Sequence, residues 1–260
     1  MDKKAERLSY LTIYLKNNNA SSIRKLSELL GVSAMTIRRD LDILCERHVV
    51  RFIHGGAVYN PDYQESGDNL GDYLIQKQQM LHRDEKIRIA KRAVSLLAPQ
   101  ETFMLDSGTT LCYLAKEIPQ ELPLTAICWS LNIIEELIKK PQCSLIALGG
   151  AYHPETQMFE SQQGRDLIKA TRASKAFISA GGIHPQLGVT SPLHYETETK
   201  KAAIQSSMMN ILVVDSSKFG KVCTSYLCDI TDLDIVITDS NIPPDYSDFI
   251  LGAGIQLITV

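Results

Sequence analysis

Apolar positions in the first sixty residues recur with a helical period. Leu8, Leu11 and Leu15 stand at i, i+3 and i+7, which predicts an amphipathic helix that the run Asn17-Asn18-Asn19 ends. A second helix begins near Ser21-Ser22, carries Ile23, Leu26, Leu29 and Leu30 as its stripe, and is stopped by Gly31. Val32 follows as a buried plug, and Ser33 suits the N-cap of a third helix over 34–48 with Ala34, Ile37, Leu41 and Leu44 on one face. The period then shortens: Val49-Val50-Arg51-Phe52-Ile53 and Ala57-Val58-Tyr59 flank His54-Gly55-Gly56, which predicts a hairpin with a glycine tip. Helix, short glycine turn, helix and hairpin make a winged helix-turn-helix over 1–60.

Residues 61–80 contain Pro61, Gly67 and Gly71 without sustained apolar periodicity, so they are expected to be a linker with a short helix over 72–80. From 81 to 260 a helix over 84–97, with Ile87, Ala90, Val94 and Leu97 as its stripe, precedes an alternation of strand and helix patterns. Strands are expected at 102–105, 124–128, 144–148, 176–179, 211–214, 235–238 and 256–259, and helices at 109–118, 131–139, 164–170 and 196–208. Such alternation predicts a mainly parallel, doubly wound α/β domain. In a parallel sheet the loops after the strands gather at one edge, where ligands bind. Five of them are rich in small or polar residues: Asp106-Ser107-Gly108-Thr109-Thr110, Trp129-Ser130-Leu131-Asn132, Gly149-Gly150, Ala180-Gly181-Gly182 and Asp215-Ser216-Ser217-Lys218.

Composition narrows the classes. With 44% hydrophobic and 22% charged residues the chain is globular in type, and it has no uncharged apolar run of the roughly 18 residues a membrane helix needs. The N-terminus carries both charge signs and reads poorly as a secretory signal, so a cytoplasmic location is expected. Six dispersed cysteines form no C-x-x-C and have no histidine at ligand spacing; reduced thiols, no metal and no cofactor are expected. The net charge of −3 hides a split, because residues 1–60 hold 10 Lys+Arg against 6 Asp+Glu, whereas residues 61–260 hold 17 against 24. A basic head on an acidic body points to a polyanion as the partner of the head alone.

With Ile37 turned inward, Met35 and Arg39 face outward from the third helix and Thr36 and Arg38 flank them. Ser33 joins this set at the helix start, and Arg51 and His54 lie on the wing. Arginine at the N-terminal end of such a helix bonds guanine edges, or else meets phosphate, in a major groove. In the body, Ser107-Gly108-Thr109-Thr110 at a strand-to-helix turn offers free N–H groups and hydroxyls to a phosphate, although Ser and Thr there also serve as plain caps. Gly149-Gly150 and Gly181-Gly182 suit either tight turns or close ligand approach. Glu196 and Lys200, at i and i+4, would by spacing alone make an ordinary surface ion pair.

The run Leu26-Ser27-Glu28-Leu29-Leu30-Gly31-Val32-Ser33-Ala34-Met35-Thr36-Ile37-Arg38-Arg39-Asp40-Leu41, followed by His54-Gly55-Gly56-Ala57, resembles the signature of the DeoR family of bacterial transcriptional regulators. The resemblance implies a sugar-phosphate sensor of ribose-5-phosphate-isomerase-like fold behind the DNA-binding head, with a phosphate loop at 107–110 and with Glu196 and Lys200 near the sugar; Ser130 and Asn132 are candidates from their loop at the sheet edge. Asp106, Asp215 and Lys218 are further candidates at that edge. Cys128-Trp129-Ser130 and Ser216 depart from the commoner family pattern of Thr-Asn-Ser and His. Together with Ser217-Lys218-Phe219-Gly220-Lys221-Val222, they resemble the members that handle deoxyribonucleosides, which implies a pentose phosphate effector. The expectation is a homo-oligomeric repressor of a sugar or nucleoside operon, released from operator DNA by a phosphorylated sugar. The competing reading is an isomerase-like enzyme with an appended head, against which the loop Ala180-Gly181-Gly182-Ile183-His184 offers no carboxylate.

Overall fold

The computed structural model describes residues 3–46, 49–53, 55–60, 75, 78 and 81–260. The chain divides into two compact units, Met1–Asp72 with Gln76–Leu81, and Tyr73–Ile75 with His82–Val260. Most of the expected linker, its short helix and His54 lie outside the described residues.

In the first unit α1 (Lys3–Asn18), β1 (Ala20–Ser22), α2 (Ile23–Leu30), α3 (Ala34–Glu46), β2 (Val50–Ile53) and β3 (Gly56–Tyr59) enclose one core of Leu11, Leu15, Ile23, Leu26, Ile37, Leu41 and Leu44 with Val49, Val50 and Ala57. Ser22 caps α2 by accepting the Lys25 N–H at 3.2 Å, and Gly31 ends it at φ 63°, a left-handed position that glycine takes without Cβ strain. Two stripe positions differ from expectation. Leu29 is 44% exposed, and Ala34 is exposed because it stands on the first turn of α3, beyond the core that begins at Ile37. Val32 is half-buried beside the core. The hairpin gains a third strand that no apolar pattern announces: Ser21 and Ser22 of β1 pair with Ala57 and Gly56 of β3. A Cβ on Gly56 would lie 2.3 Å from the Ser21 carbonyl oxygen, so glycine there permits the strand to close.

The second unit is built from α4 (Arg83–Val94), β4 (Glu101–Leu105), α5 (Thr109–Glu117), β5 (Leu124–Cys128), α6 (Leu131–Leu137), β6 (Cys143–Ala147), β7 (Ala151–His153), β8 (Met158–Glu160), α7 (Gln162–Ala170), β9 (Ala173–Ile178), β10 (Gly182–His184), β11 (Gly188–Ser191), α8 (His194–Gln205), β12 (Ser207–Val213), β13 (Ser225–Cys228), β14 (Ile235–Thr238), α9 (Pro244–Gly252) and β15 (Gln256–Thr259). Seven of the strands form a parallel sheet in the order β15-β14-β12-β9-β4-β5-β6. Side chains alternate across it. Phe103, Leu105, Phe177, Ile211 and Val213 face the core shared with α4, α5 and α6, while Met104, Ala176, Ile178, Leu212 and Val214 face the opposite core with α8 and α9. The chain enters at β4, moves outward through β5 and β6, and returns to the other side of β4 at β9. The order therefore reverses between β4 and β9, and such a reversal opens a crevice at the carboxyl edge.

The parallel doubly wound sheet is as expected, with boundary shifts. The 196–208 helix starts at His194 and stops at Gln205, because Ser207, Met209 and Asn210 pair with β9. The stripe of α4 is turned by about one residue: Lys86, Ile89, Ala90 and Ala93 are buried, whereas Ile87 and Val94 are only half-buried at its border. The β7–β8 hairpin, the β10-β11-β13 sheet and α9 were not anticipated. All six cysteines are free. Among the described residues no helix is long and apolar enough to cross a membrane.

Candidate DNA-reading face and effector site

On α3 the inward side is fixed by Ile37, Leu41, Leu44 and one charged residue. Asp40 is 1% exposed and takes Arg7 of α1 in a two-point ion pair, Nε to Oδ2 at 2.5 Å and Nη2 to Oδ1 at 3.2 Å. Asp40 thus locks α3 to α1 and leaves Arg38 and Arg39 as exposed, basic neighbours. Met35 is 59% exposed on the same outer side, and Ser33 holds the start of the helix by accepting the Thr36 N–H at 3.2 Å. Arg51 is exposed on β2. Ser33, Met35, Thr36, Arg38 and Arg39 therefore share one outward face at the start of α3, with the geometry a groove-reading helix needs.

The body gathers its charges at the β4/β9 crevice. Asp106 leaves β4 with no exposure, and its Oδ2 receives Lys200 Nζ at 2.7 Å and the Ser179 N–H at 3.0 Å. Lys200 also donates to the Ser179 carbonyl at 3.2 Å and to its hydroxyl at 2.9 Å, and lies 3.6 Å from Glu196 Oε2. Ser191 donates to the same Glu196 oxygen at 2.6 Å. Glu196 and Lys200 are 4% and 1% exposed, so this is no surface pair but a buried carboxylate–ammonium–carboxylate cluster. Burial raises the Glu196 carboxyl above its ordinary range. For Lys200 burial pulls the other way, but Asp106 and Glu196 outweigh it and hold the ammonium protonated above its usual value. Asp106 and Glu196 are therefore paired acids after all, although both are committed to Lys200.

Beside the cluster α5 begins without a side-chain cap. Its N-cap is Gly108, at φ 131°, which has no side chain to bond the first turn, and Thr109 and Thr110 are buried at the first two helical positions. Neither threonine is the N-cap residue itself. A Cβ at Gly108 would come within 3.0 Å of Ser179, the residue that binds both Asp106 and Lys200. One strand over, the Ser130 hydroxyl donates to Asn132 Oδ1 at 2.7 Å. Gly149 has open space where a side chain would stand. Gly150, Gly181 and Gly182 each press on the chain itself, at the Glu160 carbonyl, Pro192 with Cys223, and the Lys221 carbonyl, so tight packing explains their lack of side chains.

A second charged group lies past β9. Asp215, 1% exposed, caps the turn Ser216–Lys218 by accepting the Ser217 N–H at 3.1 Å and faces Lys86 Nζ at 4.0 Å. Desolvation lowers the Lys86 ammonium to about 8, with Asp215 opposing the shift and Lys218 adding to it. Lys218 is lowered as well, first by burial and then by Lys221, against the pull of Asp215. Lys86 escaped the sequence reading. The signal available was a lysine in step with Ile89, Ala90 and Ala93 on an apolar stripe, where a charge is expensive.

Comparison with known proteins places both units. The DeoR-like helix-turn-helix domain model matches residues 7–62 and the DeoR C terminal sensor domain model matches residues 81–240. The chain is similar to the deoxyribose operon repressor of Escherichia coli (strain K12), 34% identical over 237 residues and covering 91% of each chain. It is also similar to the lactose phosphotransferase system repressor of Staphylococcus epidermidis (strain ATCC 12228 / FDA PCI 1200), 35% identical over 240 residues, with 92% of this chain and 93% of the relative covered. A ribose 5-phosphate isomerase A structure from Methanocaldococcus jannaschii overlaps 53% of this chain and 54% of its own at 17% identity and TM-score 0.40. With a winged reading head and a sensor body matched in order along one chain, this protein belongs to the DeoR family of transcriptional regulators.

Proposed function

We propose that the chain is a repressor of a sugar or nucleoside utilisation operon, and that a phosphorylated sugar bound at the β4/β9 crevice lowers its affinity for operator DNA. The observation that carries the reading is the uncapped N-terminus of α5 standing next to the buried Asp106–Lys200–Glu196 cluster. The first suits a phosphate, and the second fixes Ser179 and the charge beside it. That two relatives are a deoxyribose operon repressor and a lactose phosphotransferase system repressor supports a carbohydrate effector. A pentose phosphate is the favoured class, from the Trp129 and Ser216 departures. DNA is read by Ser33, Met35, Thr36, Arg38 and Arg39, with Arg51 and His54 on the wing. Asp106, 107–110, Ser130, Asn132, Gly149, Gly150, Gly181, Gly182, Glu196, Lys200, Asp215 and Lys218 form the effector edge. Each head reads a half-site, so the working form is a homo-oligomer in the cytoplasm.

Isomerase activity is not part of this reading. General acid–base chemistry needs a carboxylate or histidine free to reach the substrate. Asp106 and Glu196 are buried against Lys200, and His184 is a half-exposed hairpin residue whose Nδ1 accepts the Gln186 N–H at 3.3 Å. Incubated with pentose or hexose phosphates, the purified chain is expected to return them unchanged. Turnover that disappears in His184→Ala would move the protein into the enzyme class.

A further inference from the structure

The β7–β8 hairpin is short, yet it is bonded to three separate parts of the body. Its strands pair Tyr152 with Phe159, and Gln157, a non-glycine residue in the left-handed region at φ 54°, helps to close the turn. Along one side the hairpin is joined to the loop after β5. Leu131 donates its N–H to the Gln157 carbonyl at 2.7 Å, and Phe159 donates its N–H to the Trp129 carbonyl at 2.8 Å. At its tip the hairpin meets α8. The Tyr195 hydroxyl donates to Glu155 Oε1 at 2.8 Å and lies 3.1 Å from the Thr156 hydroxyl, while the Tyr195 ring stacks on His153 with centroids 3.7 Å apart. Tyr195 is followed directly by Glu196, the acid that faces Lys200.

The third attachment is to the segment before α4. The Glu155 carbonyl accepts the Ile75 N–H at 2.8 Å, and Ile75 is 3% exposed. Along the sequence Tyr73–Ile75 groups with the body, whereas the residues on either side, up to Asp72 and from Gln76 to Leu81, group with the head. Ile75 is thus tied to the body in the middle of a stretch that otherwise goes with the head. Glu155 makes both connections, holding Ile75 with its carbonyl and Tyr195 with its carboxylate. Coupling between distant sites is carried by hydrogen-bond networks and packed side chains that reach both of them. The hairpin has that reach, because α8 and the β5 loop supply Glu196, Lys200, Ser130 and Asn132 at one end and Ile75 stands at the other.

We propose that the β7–β8 hairpin is the coupling element of the regulator, and that the Tyr195–Glu155–Ile75 chain of hydrogen bonds carries effector occupancy at α8 to the segment that leads to the head. The inference rests on the effector reading above and adds how that site acts on DNA binding. Tyr195 and Ile75 are positioning residues in it. Their loss uncouples two binding events that each remain intact.

The test measures the affinity of the full-length protein for the DNA upstream of its own gene, with and without ribose 5-phosphate, 2-deoxyribose 5-phosphate, fructose 6-phosphate and glucose 6-phosphate. Calorimetry gives the affinity for each sugar phosphate separately. The quantity read is the ratio of DNA Kd with and without the sugar phosphate that acts on the wild type, for which about 5–150-fold is usual. Tyr195→Phe removes the hydroxyl and keeps the ring on His153, and Ile75→Ala removes the buried anchor. Each is expected to lower the ratio about fivefold or more, towards unity, with DNA affinity without effector and sugar-phosphate affinity both within about twofold of wild type. An unchanged thermal midpoint shows that a variant is folded; if Ile75→Ala is not, the near-isosteric Tyr195→Phe carries the test. A wild-type ratio in either folded variant, or a ratio that falls in step with sugar-phosphate affinity, overturns the coupling role and leaves the effector reading standing. Failure of every sugar phosphate to alter the DNA affinity of the wild type overturns the effector reading and the coupling role with it.

Discussion

Burying a lysine costs free energy, and Lys86 shows what that cost can be held for. Its ammonium, 2% exposed and lowered to about 8, stands against Asp215 just past the end of β12. Below pH 8 the folded and unfolded chains both carry the proton, and the folded state bears the full burial cost. Between 8 and the ordinary 10.5 the folded state has lost a proton that the unfolded state keeps, so stability rises with pH through this window. The shift corresponds to about 3 kcal/mol. Lys86→Met is therefore expected to gain stability relative to wild type at pH 7 and to lose about 2–3 kcal/mol of that advantage by pH 10. Denaturant titrations of both proteins at the two pH values measure it, and a pH-independent difference would show that Lys86 is not desolvated. On α3, Arg39→Ala is expected to weaken specific operator binding by about 1–3 kcal/mol with the fold intact; unchanged affinity would take Arg39 off the reading face. Arg38 and Arg39 were legible because the α3 period leaves them outside. The Asp106–Lys200–Glu196 cluster was only half legible. The i, i+4 spacing of Glu196 and Lys200 is visible locally, whereas their burial depends on Asp106, 94 positions from Lys200.

At the level of elements, the core strands were readable wherever apolar runs fill both faces. The strands 124–128, 235–238 and 256–259 begin and end where the sequence pattern placed them. β7, β8, β10 and β11 were not, because strands this short without a continuous apolar run give too few positions for a period, even though β7–β8 and β10–β11 pair as neighbouring hairpins. The N-terminus of α9 carries a usable sign, Pro244 at its first position. In the proposed function the helix that matters most for sensing is α5. If its Thr109 and Thr110 hydroxyls and free N–H groups hold the effector phosphate, the Thr109→Val, Thr110→Val double variant keeps operator affinity and no longer lets go when effector is added. Release at the wild-type effector concentration, read by gel shift, would remove the two hydroxyls from the phosphate site.

Across the whole molecule, charge and topology divide the labour between the units. The first sixty residues are net basic and the remainder net acidic, so only the head is suited to a phosphate backbone. The reversal between β4 and β9 opens the crevice proposed for the effector, and ligand there can change DNA affinity only by binding the two functional states unequally, with about 1–3 kcal/mol of coupling typical of such systems. That coupling is the central claim. Quantitative footprinting of the full-length chain on the DNA upstream of its own gene, with and without a panel of sugar phosphates, measures it most directly. The expected result is a protected segment of repeated or palindromic half-sites whose occupancy falls steeply with salt and is lifted by a sugar phosphate but not by the unphosphorylated sugar. Absence of any protected segment, or protection that no sugar phosphate alters, would contradict it.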